Sequence, residues 1–230
     1  MTKNRAFIFA RGGSKGILDK NLVEFNGQPL IAQSILIAKR LNCFEKIYVS
    51  TDSDKIADVS SKYGVSIIKR PKKLATDDSP EWLSWQHAIK NSIYNDGDFA
   101  RFISLPTTSP LRIESDIKKC LDALKNKIDI VITATVSKRS PWFNMTTIDS
   151  DGLTKLVIDD GTYERRQDTP ICFDLSTAAY VSTPKFILNN NRIWEGNVAT
   201  VIIPPERAID IDTQLDLDFA RFLSTRKNLK

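Results

Sequence analysis

The chain has 230 residues, 41% hydrophobic and 27% charged, with a formal net charge of +5. That length and balance suit one globular domain with a sizeable core, and no apolar run approaches the roughly 20 residues that a membrane span needs. Lys3 and Arg5 are followed by only a short apolar run, too brief for a signal peptide, so a cytoplasmic protein with no membrane partner is expected. Cys43, Cys120 and Cys172 are far apart and lack C-x-x-C spacing, which points away from a disulfide framework or a thiolate metal site and towards idle thiols. The cations are scattered among carboxylates. The dense runs, at 69–73 (KRPKK) and 226–230, are not interleaved with aromatics as a single-strand-binding groove would be, so no nucleic acid is expected, and the second run reads as a solvated end.

In chain order, residues 6–10 (AFIFA) read as a fully buried strand that runs into a loop at Gly12 and Gly13. A helix is predicted over 30–41, a strand over 46–50, then Thr51-Asp52-Ser53 as the cap of a short helix. A strand at 65–68 and a helix at 81–94 follow. Strands at 101–105 and 128–133 flank a helix carrying Ile117, Leu121 and Leu124. After Val136 the rhythm changes: 144–148 and 153–157, joined around Asp151-Gly152, read as a hairpin inserted on the sheet. Strands at 178–181 and 198–203 and a helix at 214–223 close the pattern. The alternation predicts an α/β fold with a largely parallel sheet, whose ligand lies at the carboxyl ends of its strands.

Residues 10–21 read Ala-Arg-Gly-Gly-Ser-Lys-Gly-Ile-Leu-Asp-Lys-Asn. Such a loop is built to hold a polyphosphate: Gly12 and Gly13 let backbone N–H groups approach, while Arg11, Lys15 and Lys20 neutralise charge. It matches neither the Walker pattern nor G-x-G-x-x-G. The plain alternative is a basic, glycine-rich surface turn. Near the other end, Asp210 and Asp212 alternate in an extended segment, which puts both carboxylates on one face. Magnesium prefers such hard oxygen ligands; the alternative is that Asp212 or Thr213 merely caps the last helix. A second pair, Asp52 and Asp54, resembles the D-x-D of glycosyltransferases but opens a helix at once, so capping is expected of it. His87, the single histidine, lies beside Trp82 and Trp85 in the 81–94 helix and is expected to be structural.

Together, Ala10-Arg11-x-Gly-Ser14-Lys15 with Lys20-Asn21, Arg70-Pro71 with Leu74-Ala75-Thr76-Asp77, Thr108-Ser109-Pro110-Leu111-Arg112, Arg166-Gln167 and Ile209-Asp210-Ile211-Asp212-Thr213 resemble the acylneuraminate cytidylyltransferases, or CMP-sialic acid synthetases. The blocks stand in family order and span the chain from residue 7 to about 220. The resemblance implies a Rossmann-like nucleotidyltransferase fold, a single domain over 1–230, and a homodimer whose inserted segment, at about 137–176, reaches the partner's site. It also implies CTP as donor and Mg2+ (or Mn2+) as cofactor. Carried over by position, Arg11, Ser14, Lys15 and Lys20 become triphosphate ligands, within a nucleotide-binding set that includes Ala10, Gly12, Gly13 and Asp77. Asn21 and Arg70 become nucleoside contacts, and Asp210 and Asp212 the metal pair. Thr107, Ser109, Arg166, Asp174 and Ser176 fall in the sugar-binding region, with Arg166 similar to the family's basic residue near the sugar or the phosphates, which the resemblance allows to be supplied across the dimer. The implied reaction is attack by the anomeric hydroxyl of an acidic nine-carbon sugar on the α-phosphorus of CTP, with Arg11, Lys20, Asp210 and Asp212 as its catalytic set.

Two departures bear on the sugar. Pro106 replaces the family's sugar-contacting glutamine and offers no side-chain hydrogen bond. Residues 173–178 (FDLSTA) stand where sialic-acid enzymes carry Arg-Pro-Asn-Gly. Both point away from N-acetylneuraminic acid and towards legionaminic, pseudaminic or another nonulosonic acid. The rival readings are a sugar-nucleotide glycosyltransferase using Asp52 and Asp54, a nucleic-acid-binding domain, and a regulatory module with a vestigial nucleotide site.

Overall fold

The buried run at the amino end becomes the middle of a sheet. Every residue of β1 (Asn4–Phe9) is buried, and its alternation divides two cores: Ala6 and Ile8 join one, Phe7 and Phe9 the other. A strand covered on both faces needs no polar side, hence the unbroken apolar run. The computed structural model describes residues 3–226; all of the basic tail beyond Arg226 lies outside the described residues.

In chain order there follow β2 (Glu24–Phe25), β3 (Gln28–Pro29), α1 (Leu30–Leu41), β4 (Lys46–Thr51), α2 (Asp54–Ser61), β5 (Ser66–Lys69), α3 (Glu81–Asp96) and β6 (Arg101–Ser104). Next come α4 (Glu114–Ala123), β7 (Ile130–Val136), β8 (Thr146–Ile148), β9 (Thr154–Leu156), β10 (Phe173–Ser182), α5 (Pro184–Asn189), β11 (Val198–Ile202) and α6 (Gln214–Ser224). The central sheet has seven strands in the order β11-β7-β10-β6-β1-β4-β5. β1 pairs in parallel with β4 and β6, β4 with β5, and β11 with β7; β10 alone runs antiparallel, between β6 and β7. The α/β architecture expected from the sequence is therefore present. One face packs aliphatic residues from α1, α2 and α4. The other packs an aromatic cluster in which Phe7 stacks on Tyr48 and Phe102, and Trp85 adjoins Tyr180.

Of three further details, the first and third differ from the expected elements and the second agrees with them. β10 is ten residues long, not the four at 178–181, because its amino half pairs with β7 before a register shift between Ser176 and Tyr180. That irregularity breaks the alternation a strand displays. The sheet consequently begins at Phe173, inside the stretch expected to be insertion. The hairpin of β8 and β9 does form a separate two-stranded sheet, turned with Gly152 at φ +80°. Third, Ser53 rather than Asp52 caps α2, accepting from the Ile56 N–H.

Arg5 shows how a cation can be wholly structural. It is fully buried and donates to the carbonyls of Ser92, Asp96 and Gly97, to the Ser92 hydroxyl and to Glu45. It thereby joins β1 to the carboxyl end of α3. A buried charge survives only with such full satisfaction.

Candidate active site

The loop after β1 starts in register with the sheet, the Ala10 N–H donating to the Ser50 carbonyl at 3.0 Å. It is then held by neighbours on both sides. The Gly12 N–H donates to Asp52 Oδ1 at 3.0 Å, which commits that carboxylate to the loop. The Asn21 side chain, buried, donates to the Arg11 carbonyl at 3.0 Å and accepts from the Thr107 hydroxyl at 2.6 Å. Asn21 thus ties the first loop to the loop after β6.

The carboxyl-terminal segment meets the same loop. Lys20 Nζ donates to the Ile211 carbonyl at 2.8 Å and to Asp212 Oδ1 at 2.9 Å. Gly16 passes so close that a β-carbon there would overlap the Asp212 carbonyl oxygen, a close approach that only glycine permits. Capping falls to Thr213, which accepts from the Asp216 N–H while the Asp216 carboxylate reaches back to the Thr213 N–H. The Asp212 carboxylate is therefore spent on Lys20 and not on the helix end.

Between these segments lies a cavity of about 470 Å³. Of the residues expected from sequence, Arg11, Ser14, Lys15, Lys20, Asn21 and Arg70 line it, as do Asp77, Thr107 and Asp212. Ala10 is buried behind the loop. Gly12 and Gly13 supply backbone, Gly13 with open space where a side chain would stand. Asp77 bridges two of the cations, accepting from Arg11 Nη1 at 2.5 Å and pairing with Lys15 Nζ at 2.6 Å. Lys15 and then Arg11 hold its carboxyl below the usual carboxylate range. Arg70 is buried, donates to the carbonyl and hydroxyl of Ser50 and lies over the Phe9 ring. Burial lowers its pKa, and Glu81 and Asp52 raise it.

Asp210 does not line the cavity, yet its Oδ1 is buried without a hydrogen-bond partner among the described residues. An orphaned buried carboxylate oxygen calls for a donor or a cation that the protein alone does not supply. Beside it, Arg112 is buried and donates to the carbonyls of Pro106, Ser109 and Ala178 and to the Ser34 hydroxyl. Burial lowers the guanidinium pKa, and Asp116 and Asp210 raise it. Arg112 joins α1, the loop after β6 and the irregular centre of β10.

Of the expected sugar-side residues, Thr107 lines the cavity and the other four do not. Ser109 is buried and shares a 2.6 Å hydrogen bond with Thr177. The Ser176 hydroxyl is turned inward at the β10 register shift, accepting from the Ala178 N–H. Arg166 and Asp174 are exposed and outside the cavity; Asp174 instead lines a smaller one of about 230 Å³ with Lys138 and Arg139. Sequence reasoning missed Phe9, Gly16, Leu74, Thr76, Ser79, Glu81, Ser84 and Thr108, all lining residues. Gly16, Leu74, Thr76 and Thr108 stand in the loop and motif blocks named above; Phe9, Glu81 and Ser84 read simply as strand and helix.

The rival metal pair is disfavoured by the same geometry. Asp52 is engaged with Gly12, while Asp54 is solvent-exposed opposite Lys69 at 3.5 Å. His87 does not line the cavity, and burial followed by the charge of Arg70 lowers its pKa. Cys120 is buried, Cys43 and Cys172 partly so, and all three are free thiols. No described helix is long and apolar enough to cross a membrane.

Residues 6–216 match the family model described as "Cytidylyltransferase". The chain is 34% identical to a CMP-N,N'-diacetyllegionaminic acid synthase of Campylobacter jejuni over 96% of this chain and 95% of that protein. It is 30% identical to a pseudaminic acid cytidylyltransferase of the same species, covering 96% of each. Among solved structures, a CMP:2-keto-3-deoxy-manno-octonic acid synthetase complexed with CTP superposes with a TM-score of 0.72 at 14% identity, over 97% of this chain and 98% of that one. A 4-diphosphocytidyl-2C-methyl-D-erythritol synthase from Anaerococcus prevotii superposes at 0.69 with 19% identity, over 98% and 99%. These last two share the fold. By the family match and by its relatives, the chain belongs to the cytidylyltransferases and is a nucleotidyltransferase.

Proposed function

We propose that the cavity takes CTP and that the protein transfers CMP to the anomeric hydroxyl of an acidic nine-carbon sugar of the nonulosonic class, releasing pyrophosphate. The observation that carries this is the junction of Lys20 with Asp212, which brings a basic glycine loop and an acidic segment to one cavity from opposite ends of the chain. Arg11, Ser14, Lys15 and Lys20 would hold the leaving phosphates, and Arg70 with Asn21 the nucleoside. Such transfer rests on positioning and on stabilising charge around the phosphorus, and needs no histidine.

Asp210 and Asp212 suit a divalent cation of the magnesium type: one offers an unpaired buried oxygen, the other an exposed carboxylate at the cavity wall. The described residues hold no group of three or more metal-ligating side chains, in keeping with an ion bound by one or two carboxylates and completed by phosphate oxygens and water. When bound, such an ion would supply charge stabilisation at the α-phosphate. Asp77 has a separate part. It occupies the cations intended for phosphate, so the triphosphate displaces it from Arg11 and Lys15.

For the sugar side we propose a homodimer. Ile148, Leu153 and Ile171 are 72%, 62% and 75% exposed, and Phe143, Phe173 and Leu175 are exposed beside them. So much open apolar surface on one segment marks a protein contact. A partner's Arg166 and a completed wall around Asp174 would then finish the acceptor site. The legionaminic and pseudaminic relatives, together with Pro106 and Asp174 in place of a glutamine and a cation, favour a nonulosonic acid other than N-acetylneuraminic acid. The test supplies CTP, magnesium and a panel of such acids and follows pyrophosphate. Release with a legionaminic- or pseudaminic-type acid, lost on chelation, is expected; release with none of the panel refutes the acceptor class.

A further inference from the structure

Glu81 opens α3 at the cavity wall. It is exposed by surface area although protein atoms surround it densely, the condition of a residue in a concave wall rather than in a core. Arg70 lines the same cavity, fixed by two hydrogen bonds to Ser50. Each charge shifts the other's pKa, but the two form no ion pair among the described residues. Enclosure raises the Glu81 carboxyl, Arg70 lowers it, and Asp210 raises it. When ionised, Glu81 only accepts and Arg70 only donates, and both line one cavity without pairing among the described residues. Leaving both charges unneutralised in a crowded cleft costs stability, which a ligand with the complementary edge would relieve.

Resting on the reading that this cavity takes the nucleoside, we propose that Glu81 selects cytosine over uracil by accepting a hydrogen bond from the exocyclic amine, while Arg70 donates to the ring acceptors O2 and N3. Cytosine presents an amine donor next to two acceptors. Uracil presents a carbonyl where the amine was and an N–H at N3, so the carboxylate would face an acceptor and the guanidinium a donor. Unpaired polar groups of this kind give strong discrimination between otherwise isosteric ligands. The role belongs to the side chain and not to the helix start, since Pro80 already precedes α3 and no side chain caps it.

The experiment is calorimetric titration of CTP and of UTP, with magnesium and without acceptor sugar, into the wild type, Glu81→Gln, Glu81→Ala and Arg70→Lys, each checked by circular dichroism. The wild type should prefer CTP. Both Glu81 variants should reduce the ratio of the UTP to the CTP dissociation constant by tenfold or more, with Glu81→Gln gaining affinity for UTP because an amide can turn its donor to the carbonyl. Arg70→Lys should weaken both nucleotides. If Arg70→Lys weakens CTP while the ratio in both Glu81 variants stays within twofold of wild type, the role of Glu81 is refuted and the nucleoside placement stands. If Arg70→Lys leaves CTP binding unchanged, the placement itself fails and the proposal falls with it.

Discussion

The cavity at the carboxyl ends of β1, β5 and β6 and the inserted stretch around β8 and β9 are built to opposite rules. In the first, polar side chains find partners within the chain: Asn21 bridges two loops, Lys20 reaches Asp212, and Asp77 spans Arg11 and Lys15. In the second, apolar side chains such as Ile148 and Ile171 have none and face solvent. The first region is organised before any ligand arrives, as charge stabilisation in phosphoryl transfer requires. On our proposal the second awaits a covering surface, so that nucleotide recognition is a property of one chain and acceptor recognition a property of two.

That contrast can be broken at its base. Arg112→Met removes the donor shared by the carbonyls of Pro106, Ser109 and Ala178; Pro106 keeps the Ser34 hydroxyl, while the other two lose this donor inside the protein. A loss of about 3–5 kcal/mol in urea unfolding is expected, and a loss below about 1 kcal/mol would show that the loops do not depend on it. Asp212→Asn keeps the shape and removes the charge. Turnover should fall about 100-fold or more with an unchanged circular dichroism spectrum, and near-normal pyrophosphate release would remove Asp212 from the machinery.

Smaller effects sharpen the same comparison. Gly16→Ala forces the glycine loop away from the Asp212 carbonyl, with about a tenfold loss of kcat/KM expected for that shift in positioning. In the other region, Ile148→Asp combined with Ile171→Asp should convert a dimer to a monomer in light scattering and abolish sugar transfer. CTP affinity should stay within about twofold and stability within about 0.5 kcal/mol for such exposed positions; loss of CTP binding would show that the two regions are not separable. The mildest change is Asp77→Asn, which frees Arg11 and Lys15 from their intramolecular partner. CTP should bind a few-fold more tightly by titration calorimetry, and weaker binding would mean that Asp77 aids the nucleotide instead of standing in for it.

Local chemistry made much of this protein legible in its sequence. An unbroken apolar run predicted β1 because strands buried on both faces carry no polar alternation, and the strand and helix rhythm predicted the α/β sheet. The basic loop at 10–21 and Asp212 were readable because residue type and spacing suffice to suggest phosphate and cation chemistry. Three things were decided only by folding. Cavity-wall residues such as Phe9, Glu81 and Ser84 look like ordinary strand and helix until the chain brings α3 and the loop after β6 to the glycine loop. The full length of β10 depends on pairing with β7 across a register shift, which no local pattern encodes. The separate fates of Arg5 and Arg11, one sealed in the core and one at the cavity, follow from which backbone carbonyls or carboxylates the fold places around each guanidinium, a matter of long-range contact that residue type cannot specify.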